Sequence, residues 1–164
     1  MKSSKTAFLG MFVAVAMIFS YIESHIPPLV SVPGIKLGLP NIAIIVILYK
    51  LGWKEALTVS LLRVVLSSLL FGSVLTMAYS IAGALLSLLV MVLMQKSKLF
   101  STVTISVVGG VFHNIGQISV AILVLETAEL IYYLPMLLLS GTIAGVVIGL
   151  IAYQTINKMK RIEF

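Results

Sequence analysis

An all-α integral membrane protein with six transmembrane helices and both termini cytoplasmic is the fold class this sequence predicts. Three observations carry the prediction. The 164 residues are 60% hydrophobic and only 10% charged, with a mean hydropathy of +1.19, which excludes an ordinary soluble globule. The apolar residues fall into long runs, and backbone groups in lipid must be satisfied internally, so the runs are read as helices. The net charge of +6 is split into small basic groups between those runs. That is the pattern of membrane topology and not of a nucleic-acid-binding face, so no nucleic acid is expected as a partner.

Taken in order, the first run covers residues 6–22. Lys2 and Lys5 precede it as in a signal peptide, but YIESH follows with no small-residue cleavage site, so it is read as a retained helix. The second, residues 39–51, is short: thirteen residues rise only ~20 Å against a hydrocarbon core of ~30 Å. Either the preceding loop covers the missing depth or the helix begins at Ile35. The third run covers 53–71 and the fourth 74–94, joined by a tight Gly72-Ser73 turn. The fifth covers 100–125 and the sixth 133–156. No internal repeat and no linker divides the chain, so residues 1–164 form a single six-helix domain.

Six crossings place Lys2, Lys5, Lys50, Lys54, Lys96, Lys98, Lys158, Lys160 and Arg161 on one side, which the positive-inside rule makes cytoplasmic. Glu23, Lys36, Glu126 and Glu129 fall on the other. The expected location is a bacterial cytoplasmic membrane, spanned several times.

Residues 27–41, PPLVSVPGIKLGLPN, organise the polar side of the chain. This stretch holds four of the five prolines and cannot be a regular helix, because each proline removes an amide donor and restricts its predecessor. It is nevertheless too apolar for a solvated loop. It reads as an ordered re-entrant or capping loop, a lid with Pro33 limiting its conformations and Gly34 and Gly38 freeing the backbone around Lys36. Asn41, just past Pro40, stands where it can cap the second helix or turn to a ligand.

Within the helices, Arg63 lies near mid-bilayer, with Ser60 and Ser67 on its face. A buried arginine is costly unless it faces protein, water or a ligand. No acidic residue is expected at its depth, and Glu23 stands where the first helix emerges, within reach of Lys36 or of a ligand's cation. In the fifth run Gly109-Gly110 precedes His113, Asn114 and Gln117, whose spacing puts all three on one face. The glycines allow a helix or a flat ligand to approach. In the fourth, Thr76, Ser80, Gly83 and Ser87 form a small polar stripe, with Tyr79 beside it. Gly10 and Ala14 make a small-xxx-small face on the first helix, suited to a partner membrane protein. With no cysteine and only two histidines, no metal site and no cofactor are expected. Two basic residues without a nearby aspartate favour an anionic small molecule, met by Lys36 or Arg63 and hydrogen-bonded by Asn41, Tyr79, His113, Asn114 and Gln117.

The blocks YIESHIPPL, VPGIKLGLPNI, GWKEALTVSLLRV, LLFG, YSIAGALLSLLVM and HNIGQ resemble the Gx transporter family, whose members also carry the label heptaprenyl diphosphate synthase component I. The resemblance runs nearly end to end. That family is grouped with the S-components of energy-coupling-factor transporters, and it implies a six-helix bundle with its substrate toward the extracytoplasmic side. It also implies a transmembrane coupling subunit, met by the first helix, and separate ATPases. The Ala-rich docking motif of vitamin-binding S-components is represented here only by Ala7, Gly10 and Ala14. The synthase label implies an enzyme, but prenyl diphosphate synthases hold magnesium with aspartates and this chain contains none. It also lacks a Walker A motif, so no catalytic residue is assigned. Two further roles stay open: a quinone-binding membrane partner of an extracytoplasmic flavoprotein, with His113 as proton acceptor, and an anchor or assembly factor for a prenyl-chain enzyme.

Overall fold

Six α-helices and one 3-10 turn make up the computed structural model, which describes residues 2–25 and 38–159. They are α1 (Lys2–His25), α2 (Asn41–Lys50), α3 (Trp53–Phe71), α4 (Val74–Ser97), α5 (Thr102–Leu125) and α6 (Leu134–Lys158), with the 3-10 turn at Ala128–Tyr133 before α6. There is no strand among the described residues. Four of the helices are long and apolar enough to cross a membrane, namely α1, α4, α5 and α6. The chain is a membrane protein built of helices. α3 has 19 residues, but Lys54, Glu55, Arg63 and four hydroxyl side chains dilute its apolar character.

The helix boundaries follow local chemistry. α4 opens on a reciprocal cap in which the Ser73 side chain accepts from the Thr76 amide and Thr76 accepts from the Ser73 amide. Ser101 caps α5 by accepting from the Thr104 amide at 3.1 Å. Pro135 occupies the first turn of α6, where its missing amide hydrogen is not needed. α2 begins at Asn41 and not at Ile35, because Gly38 takes φ +79° and the Gly38–Pro40 segment is a turn. Ten residues rise only about 15 Å, half of a hydrocarbon core. The segment that would cover the missing depth lies outside the described residues, and with it Pro33, Gly34 and Lys36 of the expected lid.

α2 is apolar all round and is buried all round: every residue from Ile42 to Leu48 is at most 8% exposed. It packs on α1, α3 and α6 and is pinned at its C-terminal end. There Lys50 donates to the Met159 carbonyl at 2.7 Å, and Gln95 donates to the Leu48 carbonyl at 3.2 Å. Lys5 pairs with Glu55 and ties α1 to α3. These contacts gather the start of α1, the end of α6 and the ends of α2 and α4 at one end of the bundle.

α4, α5 and α6 pack differently, through glycine. A Cβ on Gly110 would lie 2.6 Å from the Gly141 carbonyl oxygen, and one on Gly145 would lie 2.6 Å from the Val107 Cα. On the other side of α5, a Cβ on Gly116 would meet the Ala82 carbonyl and Gly83 Cα, both at 2.9 Å. α5 is therefore held between α4 and α6 at backbone-to-backbone distance, a contact that small residues alone allow. The Gly109-Gly110 pair receives α4 and α6 rather than a flat ligand.

Candidate functional site

Five chain segments converge where the two packing regimes meet. α3 supplies Arg63 and, a turn later, Ser67 and Ser68. All three are buried, as is Ser60. The turn before α2 supplies Gly38 and Asn41, joined by a hydrogen bond from the Asn41 amide to the Gly38 carbonyl at 2.8 Å. α1 supplies Glu23 from its last two turns, α4 supplies Thr76 and Ser80, and α5 supplies His113 and Gln117. Together these residues line one polar cavity of about 30 Å³, room for a water or two.

Arg63 is 8% exposed. Its Nη2 donates to Asn41 Oδ1 at 3.3 Å, while its Nε is buried with no hydrogen-bond partner among the described residues. A buried donor left unpaired costs about 1–3 kcal/mol, so this atom marks where an acceptor belongs. Asn41 does not cap its helix; it turns to Arg63. Glu23 is 5% exposed, accepts a hydrogen bond from the Gly38 amide and acts electrostatically on Arg63. The expectation that Arg63 has no acidic residue near it is thereby corrected. α1 continues to His25, so Glu23 is carried inside the bundle instead of emerging at its surface. The sequence held the signal: Phe12, Ala16, Ser20 and Glu23 are spaced four, four and three apart and are all buried, one helical stripe ending in a carboxylate.

A second chamber, also about 30 Å³, adjoins the first and shares Gly38, Asn41 and His113 with it. Its other walls include Ile45, Ser87, Met91, Ser106, Asn114 and the α6 face from Gly141 to Ile148. The expected trio on α5 therefore divides. Gln117 lines the first chamber, Asn114 the second, and His113 both. Asn114 also spends its side-chain nitrogen on the Leu137 carbonyl of α6 at 2.6 Å, so part of its role is to join the two helices. Adjacent helical residues point about 100° apart, so Asn114 reaches α6 while the His113 ring stands beside Gly83 of α4.

Tyr79 is buried, at 5% exposure, but it lines neither chamber. Thr76 and Ser80 do line the first, although small polar residues at that spacing more often mark helix packing. Gly83 serves packing: a Cβ there would sit 2.7 Å from the His113 carbonyl oxygen. Gly10 and Ala14 face outward, with nothing within 4 Å of the Gly10 Cβ position. No group of three or more acidic, histidine or cysteine side chains able to hold a metal occurs among the described residues.

Comparison with known proteins agrees with the motif blocks. A family model described as heptaprenyl diphosphate synthase component I matches residues 12–155. No curated protein and no solved structure matches the chain. The match spans most of the sequence and takes in every residue that lines the two chambers, and on it the chain belongs to the heptaprenyl diphosphate synthase component I family.

Proposed function

We propose that this protein is a membrane-embedded binding subunit, S-component-like, for uptake of a small organic molecule that carries an anionic group. Separate partner subunits, a transmembrane coupling protein and ATPases, energise the transport. The bundle crosses a bacterial cytoplasmic membrane six times with both termini inside. The observation that carries this reading is Arg63: a buried guanidinium, fixed by Asn41 on one nitrogen and with no partner for Nε among the described residues, at a polar cavity inside a membrane bundle. A quinone or prenyl-chain pocket would call for apolar walls opening to lipid, whereas this one is lined by hydroxyl, amide and charged groups. The absence of aspartate leaves the chain without the residues that hold magnesium diphosphate in prenyl diphosphate synthases, so we assign it no catalytic step.

At about 30 Å³ the cavity must widen to admit an organic ligand. The lid role proposed for the loop carrying Pro33, Gly34 and Lys36 fits that need, with Gly38 as its hinge. Native mass spectrometry of gently purified protein tests the reading. A bound small molecule is expected on the wild-type protein and missing from a folded Arg63→Gln variant. A bound molecule retained by folded Arg63→Gln would remove Arg63 from the site. Hydrogen exchange tests the lid: amides from Val32 to Leu39 are expected to slow with ligand bound, and unchanged exchange would make the loop a connector.

A further inference from the structure

We propose that the ligand of this site is a slender anion with an uncharged oxygen group, hydroxyl or carbonyl, at its far end, and that Ser87 and Ser106 read that group. The proposal rests on the binding-subunit reading above and narrows it to one chemical class. The second chamber meets the Arg63 cavity at Asn41 and His113, which line both. From His113 it follows α5 to Ser106, seven residues earlier, about 10 Å of helix rise toward the lysine-bearing end. Ser106 belongs to α5 and Ser87 to α4, and both are more than nine-tenths buried. Both line the chamber, and neither hydroxyl is engaged by a hydrogen bond to another described residue.

Helix packing does not account for these hydroxyls. A Cβ on Gly109 would lie 3.3 Å from the Ser87 oxygen, and one on Gly149 the same distance from the Ser106 oxygen. Both serines therefore sit where helices touch through glycine. Alanine would suit that contact equally well, without burying a hydroxyl whose isolation costs free energy. Each serine supplies one donor and spare acceptor sites to whatever enters the chamber. A ligand oxygen satisfies both, whereas a bare hydrocarbon end would leave them stranded. The apolar walls beside them, Ile45, Met91 and Ile148, suit the body of such a molecule. A space of about 30 Å³ selects a body that is thin or flat. Its anionic end lies at Arg63, on the other side of Asn41 and His113.

The test is thermal unfolding of the purified wild-type protein in detergent with anions in pairs of equal shape. The pairs are para-hydroxybenzoate with para-toluate, para-coumarate with para-methylcinnamate, ω-hydroxyhexanoate with heptanoate, and para-hydroxyphenyl phosphate with para-tolyl phosphate. At least one hydroxylated member is expected to raise Tm in a saturable way, at about tenfold lower concentration than its methyl twin. In Ser87→Ala/Ser106→Ala, checked for folding by gel filtration, the gap should close because the hydroxylated member weakens. Each single variant should close part of it, which keeps the test open if the double variant does not fold. The proposal is overturned if no hydroxylated member raises Tm, if a methyl twin matches its partner, or if the gap survives in the folded serine variants. A co-purified anion with a bare hydrocarbon end, lost on Arg63→Gln, would also overturn it while leaving the binding-subunit reading intact.

Discussion

The two halves of the bundle are held together by different means. α4, α5 and α6 touch through glycine at backbone distance, and their buried polar groups are few: Ser87, Ser106 and Asn114. α1, α2 and α3 touch through side chains. They bury Ser20, Glu23, Ser60, Arg63, Ser67 and Ser68, and they are tied at the lysine-bearing end by Lys5–Glu55 and by Lys50 reaching α6. The contrast teaches where movement is cheap. Backbone-to-backbone contact has no slack, because no side chain can rotate to relieve it. Side-chain contact can open by rotamer changes. The cavity lies on the seam between the halves, so a rigid glycine-packed wall faces a wall that can yield to a ligand.

The largest expected effect tests the rigid wall. Gly145→Val would drive its Cβ into the Val107 backbone, and overpacking between two backbones should cost about 3 kcal/mol or more. We expect loss of a monodisperse folded protein in detergent, read by gel filtration and thermal unfolding. A Gly145→Val protein with wild-type Tm would mean that the α5–α6 contact has slack.

Next comes the charged wall. Arg63→Gln removes a charge-assisted contact worth about 1.5–3 kcal/mol, so ligand affinity should fall about ten- to hundredfold while the fold survives. Arg63→Lys should not restore it, because an ammonium lacks the guanidinium fork. Full rescue by lysine would reduce Arg63 to a point charge. Asn41→Ala should have a smaller effect, about fivefold on affinity, for one neutral hydrogen-bond partner of about 1 kcal/mol. Binding unchanged in Asn41→Ala would show that Arg63 needs no anchor.

The smallest effect on the fold is expected on α1. Gly10→Val meets no atom within 4 Å, so its stability should stay within about 0.5 kcal/mol of wild type. If the outward Gly10 and Ala14 face meets a coupling subunit, the same change should lower co-purification of that subunit. Orientation has its own measurement. Cysteines at Ser97 and Asn157 should resist an impermeant thiol reagent in intact cells, and one at Thr127 should react. Labelling at Ser97 from outside would break the six-crossing topology.

Much of the fold was legible because hydrophobic periodicity and turn chemistry act locally. Residues 53–71 are the helix expected from Trp53 to Phe71, and the Gly72-Ser73 turn stands where it was expected. The short second helix was legible in part: the sequence left a start at Ile35 open, and the turn at Gly38, with φ +79°, decides for Asn41. The site was only partly legible. Arg63, Asn41, His113 and Gln117 could be named because lipid disfavours each of them, and the structure brings these four to one cavity. Tyr79 did not join them, because a tyrosine beside a polar stripe satisfies the pattern whichever neighbour it faces.

The sequence by itself determined the membrane class, the order of the helices with the bounds of α3, and the buried arginine, since each depends on solvation and on the few residues around it. Tertiary structure alone decided what that arginine meets. Forty residues separate Glu23 from Arg63, and their approach depends on how far α1 continues, how α2 is pinned and where the Gly38–Asn41 turn places its amide and carbonyl. Those are properties of packed helices, and no local pattern encodes the distance between two charges on different ones. The same holds for the α5 glycines: composition announced a close approach, but the partners, α4 on one side and α6 on the other, were chosen by the bundle.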